Sequence, residues 1–227
     1  MKSNKVIQDQ RKIYNEQIKK YGDSPQSTHN QLSEIQNLRF ERLIMNLKLD
    51  QEANTLHDVG CGICDLYQYL KENNLPYLYS GTDIVPAMKN LSEKKYPQIQ
   101  YSIRDIIDEK ISDKYDFVVL SGTFNLPGSV KREEWKEFTR KMIVAMYQIS
   151  NKGIAFNFLT QKADYYNKDM YYESVDEILE FCVKNLSRHV IIDHAYPLYE
   201  FTCTVIKPDD VKKKYNSKVF EKYFKAE

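Results

Sequence analysis

Apolar residues near the start of the chain are spaced along a Lys/Gln-rich stretch: Val6, Ile7, Ile13, Tyr14, Ile18 and Tyr21. That spacing predicts a polar helix over the first twenty residues, stopped by Gly22-Asp23-Ser24-Pro25. Gln26 to Asn30 reads as a polar loop. Leu32, Ile35, Leu38, Leu43 and Leu47 fall near one face and predict a second helix from about Leu32 to Leu47. From Thr55 the period changes. Thr55 to Val59 is a short strand, followed by Gly60-Cys61-Gly62 and a helix from about Ile63 to Asn73. Tyr77 to Asp83 is a second strand, and a helix runs from Pro86 to Lys95, with proline suited to the first turn. Gln98 to Ile103 is a third strand. Phe117 to Leu120 is a fourth, uniformly apolar as a central parallel strand should be. A helix over about Glu133 to Ser150, a strand at Ile154 to Leu159 and a helix over about Ser174 to Leu186 follow. His189 to Asp193 and Phe201 to Ile206 close the pattern as two strands.

Strand and helix alternate from Thr55 to Leu186, which implies an α/β doubly wound parallel sheet. The last two strands are joined only by Tyr196-Pro197-Leu198-Tyr199, which implies an antiparallel hairpin. The expected fold is a mostly parallel seven-stranded sheet with one reversed strand. Residues 1–50 form an N-terminal helical extension serving as a lid, residues 51–207 the core, and residues 208–227, with Lys212-Lys213-Lys214, a charged tail.

Composition narrows the function. Lys plus Arg is 33 and Asp plus Glu is 32, a net charge of +1, so no nucleic-acid partner is expected. Mean hydropathy is −0.62, and no run approaches the roughly 20 apolar residues of a membrane span. The opening residues lack the apolar stretch of a signal peptide, so a cytoplasmic location is expected. The four cysteines are too few and scattered for a disulfide scaffold.

The chemistry concentrates in His57-Asp58-Val59-Gly60-Cys61-Gly62-Ile63-Cys64-Asp65-Leu66, where the first strand ends and a helix opens. Two glycines allow a tight turn and let a ligand approach the backbone. The helix start adds unpaired N–H groups. Asp83, 25 residues after Asp58, ends the second strand, where nucleotide sites place an acid for ribose hydroxyls. Asp105 ends the third, where it can accept from an adenine amino group. Cys61-x-x-Cys64 could be a redox pair, but the glycines and downstream acids point elsewhere. No second Cys/His pair sits at ligand spacing, so no metal is expected.

Asp58-Val59-Gly60-Cys61-Gly62, Gly81-Thr82-Asp83, Arg104-Asp105-Ile106 and Asp116 to Gly122, in this order, resemble the class I S-adenosylmethionine-dependent methyltransferases, a Rossmann-like family. Tyr199-Glu200-Phe201-Thr202 resembles that family's reversed last strand. Ser121 to Asn125 and Phe156 to Thr160 further resemble methyltransferases encoded among bacterial surface-polysaccharide genes. Many members carry a third glycine where Cys64 stands. The resemblance implies S-adenosyl-L-methionine as cofactor. Gly60 and Gly62 would approach its methionine end, with Asp58 beside the amino group. Asp83 would take the ribose hydroxyls, Ile84 flanking it, and Asp105 and Ile106 would frame the adenine. Ser121 would line the floor near the sulfonium. Gln36 and Arg39 would close over the cofactor, Arg39 pairing with its carboxylate.

A small-molecule acceptor is expected. Its pocket would be built from Asn125, Asn157, Tyr171, Tyr172 and Tyr199, with His29 and His194 as candidate general bases. These polar and aromatic groups suit O-methylation of a sugar- or phosphate-type precursor of a surface glycan. An RNA or protein methyltransferase is the alternative, but no Asn-Pro-Pro-Tyr or Asp-Pro-Pro-Tyr segment follows the fourth strand, where Ser121-Gly122-Thr123-Phe124 stands. A non-catalytic cofactor-binding module is a further alternative. A nicotinamide oxidoreductase would carry glycine at Asp65.

Overall fold

A computed structural model of the chain describes residues 2–22, 33–47, 54–109 and 111–224. The N-terminal segment forms α1 (Lys2–Tyr21) and α2 (Ser33–Ile44). The core runs β1 (Asn54–Val59), α3 (Asp65–Glu72), β2 (Tyr77–Asp83), α4 (Pro86–Lys95), β3 (Gln100–Ile103), β4 (Tyr115–Leu120), α5 (Arg132–Ile149) and β5 (Ser150–Thr160). It closes with β6 (Tyr172–Glu173), α6 (Val175–Asn185), β7 (Val190–Asp193) and β8 (Glu200–Ile206). A solvated helix α7 (Pro208–Lys214) and a 3-10 turn at Lys218–Tyr223 follow, neither with a buried residue.

The strands make one sheet in the order β3-β2-β1-β4-β5-β8-β7. β1 to β5 pair in parallel, and β8 runs antiparallel to both β5 and β7. The expected reversed strand is therefore β8. One element was not expected: β6, two residues that pair in parallel with the end of β5. It makes the sheet eight-stranded and takes Tyr172 out of the long loop in which the sequence placed it.

Alternation along β4 explains the two-sided core. Val118 and Leu120 face a cluster with Trp135, Phe138, Met142 and Ile143 of α5 and with Val6 and Ile7 of α1. Phe117 and Val119 face the other cluster, with Phe40 and Leu43 of α2 and Leu66 and Leu70 of α3. Both N-terminal helices thus contribute buried side chains, one on each face. The parallel strands end together on one side, and helix starts and loops gather there, as in other open α/β sheets. No helix among the described residues is long and apolar enough to cross a membrane.

Candidate functional site

The turn after β1 is built around left-handed backbone. Gly60 has φ +71° and Gly62 φ +54°. A side chain at Gly60 would put its Cβ 2.5 Å from Thr123 Oγ1, so both backbone conformation and space demand glycine. The Gly60 and Cys61 amides donate to the Thr82 carbonyl at 2.8 and 3.1 Å. Gly62 N–H donates to Asp83 Oδ2 at 3.0 Å and Val85 N–H to Asp83 Oδ1 at 2.9 Å. Asp83 therefore ties the glycine turn to the turn that opens α4. Cys64 also sits in the left-handed region, at φ +64°, immediately before α3. This is the position where the resembling family carries glycine. Here a buried cysteine occupies it, its sulfur accepting from the Ser92 hydroxyl at 3.1 Å.

Three aspartates converge beside this turn. Burial, with the charges of Asp83 and Asp65 adding, pushes the Asp58 carboxyl up to about 7, against the Tyr79 hydroxyl that donates to it at 2.8 Å. Burial also raises Asp83, opposed by the amides it accepts from. Asp65 is held by Gln36, whose Nε2 donates to Oδ2 at 2.9 Å. A fourth acid, Asp105, is raised by burial and accepts from Ile107 N–H at 3.0 Å. Crowded carboxylates with elevated proton affinity are electrostatically unsatisfied, and they suit a ligand that brings positive charge.

The structure brings most of the expected cofactor residues to one cavity. Asp58, Gly60, Gly62 and Asp83 line it, with Ile84, Asp105 and Ile106 at the ends of β2 and β3. Ser121 and Asn125 line it beyond β4, and Gln36 and Arg39 from α2. Arg39 does not fit its expected role. Its Nε and Nη2 both engage the buried Glu200 carboxylate, at 2.8 and 2.5 Å to Oε1, so the guanidinium is committed to a protein acid.

The expected acceptor pocket is largely overturned: of its residues, only Asn125 reaches the cavity. Asn157 is 1% exposed and spans the floor from below, Oδ1 accepting from Gly122 N–H at 2.8 Å and Nδ2 donating to Glu200 at 2.7 Å. Tyr171 is buried in the core with its hydroxyl on Glu173 at 2.9 Å. Tyr172, fixed in β6, accepts from Asn167 N–H. Tyr199 points to the surface and donates to Asp164 at 2.9 Å. His194 is exposed with its ring near Phe201, away from the cavity, and so is no general base there. His29 lies outside the described residues. His57 is buried in β1, bonded to Ser80 and stacked on Tyr115 at 4.0 Å, and burial lowers it to about 3. It is structural, as its strand position implies.

No protein-family model matches the chain. A Mycobacterium tuberculosis protein provisionally named methyltransferase Rv1506c is 28% identical over 155 residues, 67% of this chain and 93% of that protein. Among solved structures, the N-methyltransferase NodS from Bradyrhizobium japonicum WM9, in complex with S-adenosyl-L-homocysteine, superposes with a TM-score of 0.58. That match covers 86% of this chain and 98% of NodS at 13% identity. Phosphoethanolamine N-methyltransferase 1 of Haemonchus contortus gives a TM-score of 0.60 at 11% identity, over 89% of this chain and 49% of that one. The fold is that of the class I S-adenosylmethionine-dependent methyltransferases.

The sequence led to the expectation of a lid from residues 1–50 over this methyltransferase fold, but named none of its wall residues on α1. Ile7, Gln10 and Tyr14 of α1 line the cavity, one face of a helix by their spacing of three and four. Gln10 Nε2 donates to the Leu126 carbonyl at 3.0 Å, Arg11 Nε to the Ile84 carbonyl at 2.9 Å, and Asp9 accepts from Ser129. These bonds stitch α1 across loops at the carboxyl ends of β2 and β4. Burial and the charge of Asp83 push the Tyr14 phenol well above its usual range. The sequence reading also missed Asp65, Phe40, Trp135, Phe138, Met142 and Met170 as wall residues. The Ile7–Tyr14 spacing was a usable signal. The others looked like ordinary core until packing placed them.

Proposed function

We propose that this chain is an S-adenosylmethionine-dependent methyltransferase acting on a small molecule. The observation that carries this reading is the meeting of the left-handed glycine turn and four aspartates in one cavity over the carboxyl ends of β1 to β4. Gly60 and Gly62 leave the backbone open to the methionine end of the cofactor. Asp58 and Asp65 would hold its ammonium group. The Asp83 carboxylate offers more lone pairs than the backbone amides that it accepts from, so it would have capacity left for a ribose hydroxyl. Ile84, Asp105 and Ile106 frame the adenine, and Ser121 lies at the floor. When bound, the cofactor supplies a methyl group on a positively charged sulfur. The protein's task is alignment and exclusion of bulk water.

The cover of α1 supports a small acceptor, since a macromolecule would need an open groove. We assign α1 the role of lid. O-methylation of a sugar- or phosphate-type glycan precursor, as the narrower resemblance implies, draws on Asn125 alone among the wall residues first expected for it. The reading is tested by calorimetry and hydrogen exchange. S-adenosylhomocysteine is expected to bind and NAD not to, with residues 2–22 protected by the ligand. A folded protein that binds NAD but not S-adenosylhomocysteine overturns the reading.

Binding is expected to depend on pH through Asp58. Its carboxyl titrates near 7, so below that pH it is neutral and holds an ammonium poorly. A cationic neighbour lowers its proton affinity, so binding at low pH must release the proton. Affinity for S-adenosylhomocysteine should be level above about pH 8 and fall by up to about tenfold per unit below pH 7. Calorimetry at pH 6 in two buffers of different ionisation enthalpy should show the released proton, and at pH 8 should show almost none.

A further inference from the structure

The cavity's charge inventory speaks to the acceptor. Among the described residues that line it, four are aspartates, two are arginines, and none is lysine or histidine. Both arginines are engaged. Arg39 is held by Glu200, and Arg104 lies 3.6 Å from Asp113 and donates to Ser102. A phosphate entering here would meet acids and, among the described residues, no uncommitted cation, whereas the cofactor's carboxylate would arrive with its own ammonium and sulfonium; free negative charge is unfavourable here. Several polar wall groups beyond β4 are tied to the protein's own backbone as well, although the Ser121 and Thr123 hydroxyls also line the cavity. Gln10 donates to Leu126, the Asn125 carbonyl oxygen accepts from Leu159 N–H, and the Trp135 indole donates to Phe124. Beyond β4 a sugar would therefore find chiefly the Ser121 and Thr123 hydroxyls to read its own.

What the wall does offer is apolar. Ile84 and Ile106, at the ends of β2 and β3, are enough to flank an adenine. A second set lies elsewhere: the half-buried Leu126 after β4 and Met170 before β6, with the buried Phe40 on α2 and Ile7 on α1, backed by Trp135 of α5, which has no exposed surface. Ring faces and a thioether suit an aromatic guest, because aromatic pairs and sulfur–ring contacts add to simple burial. Building on the methyltransferase reading, we propose that the acceptor is an uncharged aromatic small molecule bearing a phenol-type hydroxyl, seated between α1, α2 and the loops after β4 and β5. A phenol's proton is already acidic enough to leave without a strong base, which agrees with the lack of a histidine among the described wall residues.

Trp135 is the chain's one tryptophan, so its indole N–H gives one resonance that reports on this wall. The full chain, labelled with 15N and saturated with S-adenosylhomocysteine, is titrated with p-cresol and, separately, with glucose 1-phosphate. The expected result is a saturable shift of the Trp135 resonance with p-cresol and at least tenfold weaker binding of glucose 1-phosphate. Met170→Glu, at a half-buried loop position, should weaken p-cresol at least fivefold. Equal or tighter binding of the sugar phosphate overturns the proposal, as does failure of p-cresol to bind the S-adenosylhomocysteine complex. If S-adenosylhomocysteine itself does not bind, the cofactor reading fails and the acceptor proposal falls with it. That outcome is told apart by titrating S-adenosylhomocysteine first.

Discussion

Glu200→Ala is expected to lower the melting temperature by roughly 10 °C. The side chain is 2% exposed and sits at the start of β8, opposite Leu159 of β5. Its carboxylate takes two donors from Arg39 and one from Asn157, and Asn157 in turn holds the Gly122 amide. Removing one partner of a buried ion pair leaves the other charge uncompensated, at about 3–5 kcal/mol. In a chain of this size each kcal/mol moves the midpoint by about 2–4 °C. The loss should also reach the cavity, because the floor at Gly122 and the Arg39 wall both hang on this carboxylate. Glu200→Gln keeps the volume and one acceptor, and should fall between wild type and Ala. Scanning calorimetry checks the order. A shift under about 2 °C for Glu200→Ala would mean that the pair contributes no more than a surface ion pair.

Asp83→Ala should weaken S-adenosylhomocysteine by about 10- to 100-fold, equivalent to the 1–3 kcal/mol lost with hydrogen bonds to a charged group. Two effects act together. On the proposed reading the ribose hydroxyls would lose their acceptor, and the Gly62 and Val85 amides lose theirs, which loosens the turn beneath the proposed ligand. Asp83→Asn separates them, since an amide oxygen keeps one of those bonds. The Asn variant carries a further signature. The charge of Asp83 helps raise the Asp58 carboxyl, so removing it should move the midpoint of pH-dependent binding downward. Calorimetry across pH on the folded variants reads both effects. Unchanged affinity in Asp83→Ala would remove Asp83 from the cofactor site.

The part of the cavity proposed for the cofactor was legible because its parts are local. Asp58, Gly60 and Gly62 lie within five residues, and Asp83 and Asp105 each end a strand whose apolar pattern can be recognised alone. A strand end is a place in the chain and, in a parallel sheet, also a place in space. Even here the sequence misjudged Arg39. It is an arginine at the right end of the right helix, but its partner is 161 residues away, and nothing near it in sequence announces Glu200. Cys64 shows the converse. A glycine-type backbone conformation persists without glycine, and only the coordinates show that this turn remains left-handed there.

The sequence by itself determined the elements other than β6, the parallel sheet with its reversed strand, and the acid-and-glycine rim. Each follows from periodicity, turn chemistry or strand-end position, which operate over a few residues. Tertiary packing alone decided the other wall. Tyr171, Tyr172 and Asn157 are as polar and aromatic as a pocket could ask, yet strand pairing and burial turned them into the core, β6 and the floor. Ile7, Gln10 and Tyr14 gave the pattern of an ordinary polar helix, yet α1 lies over the cavity because Gln10 meets Leu126 across 116 residues. Contacts of that sequence separation depend on how whole elements pack, and a pattern read along the chain carries no information about which face meets which.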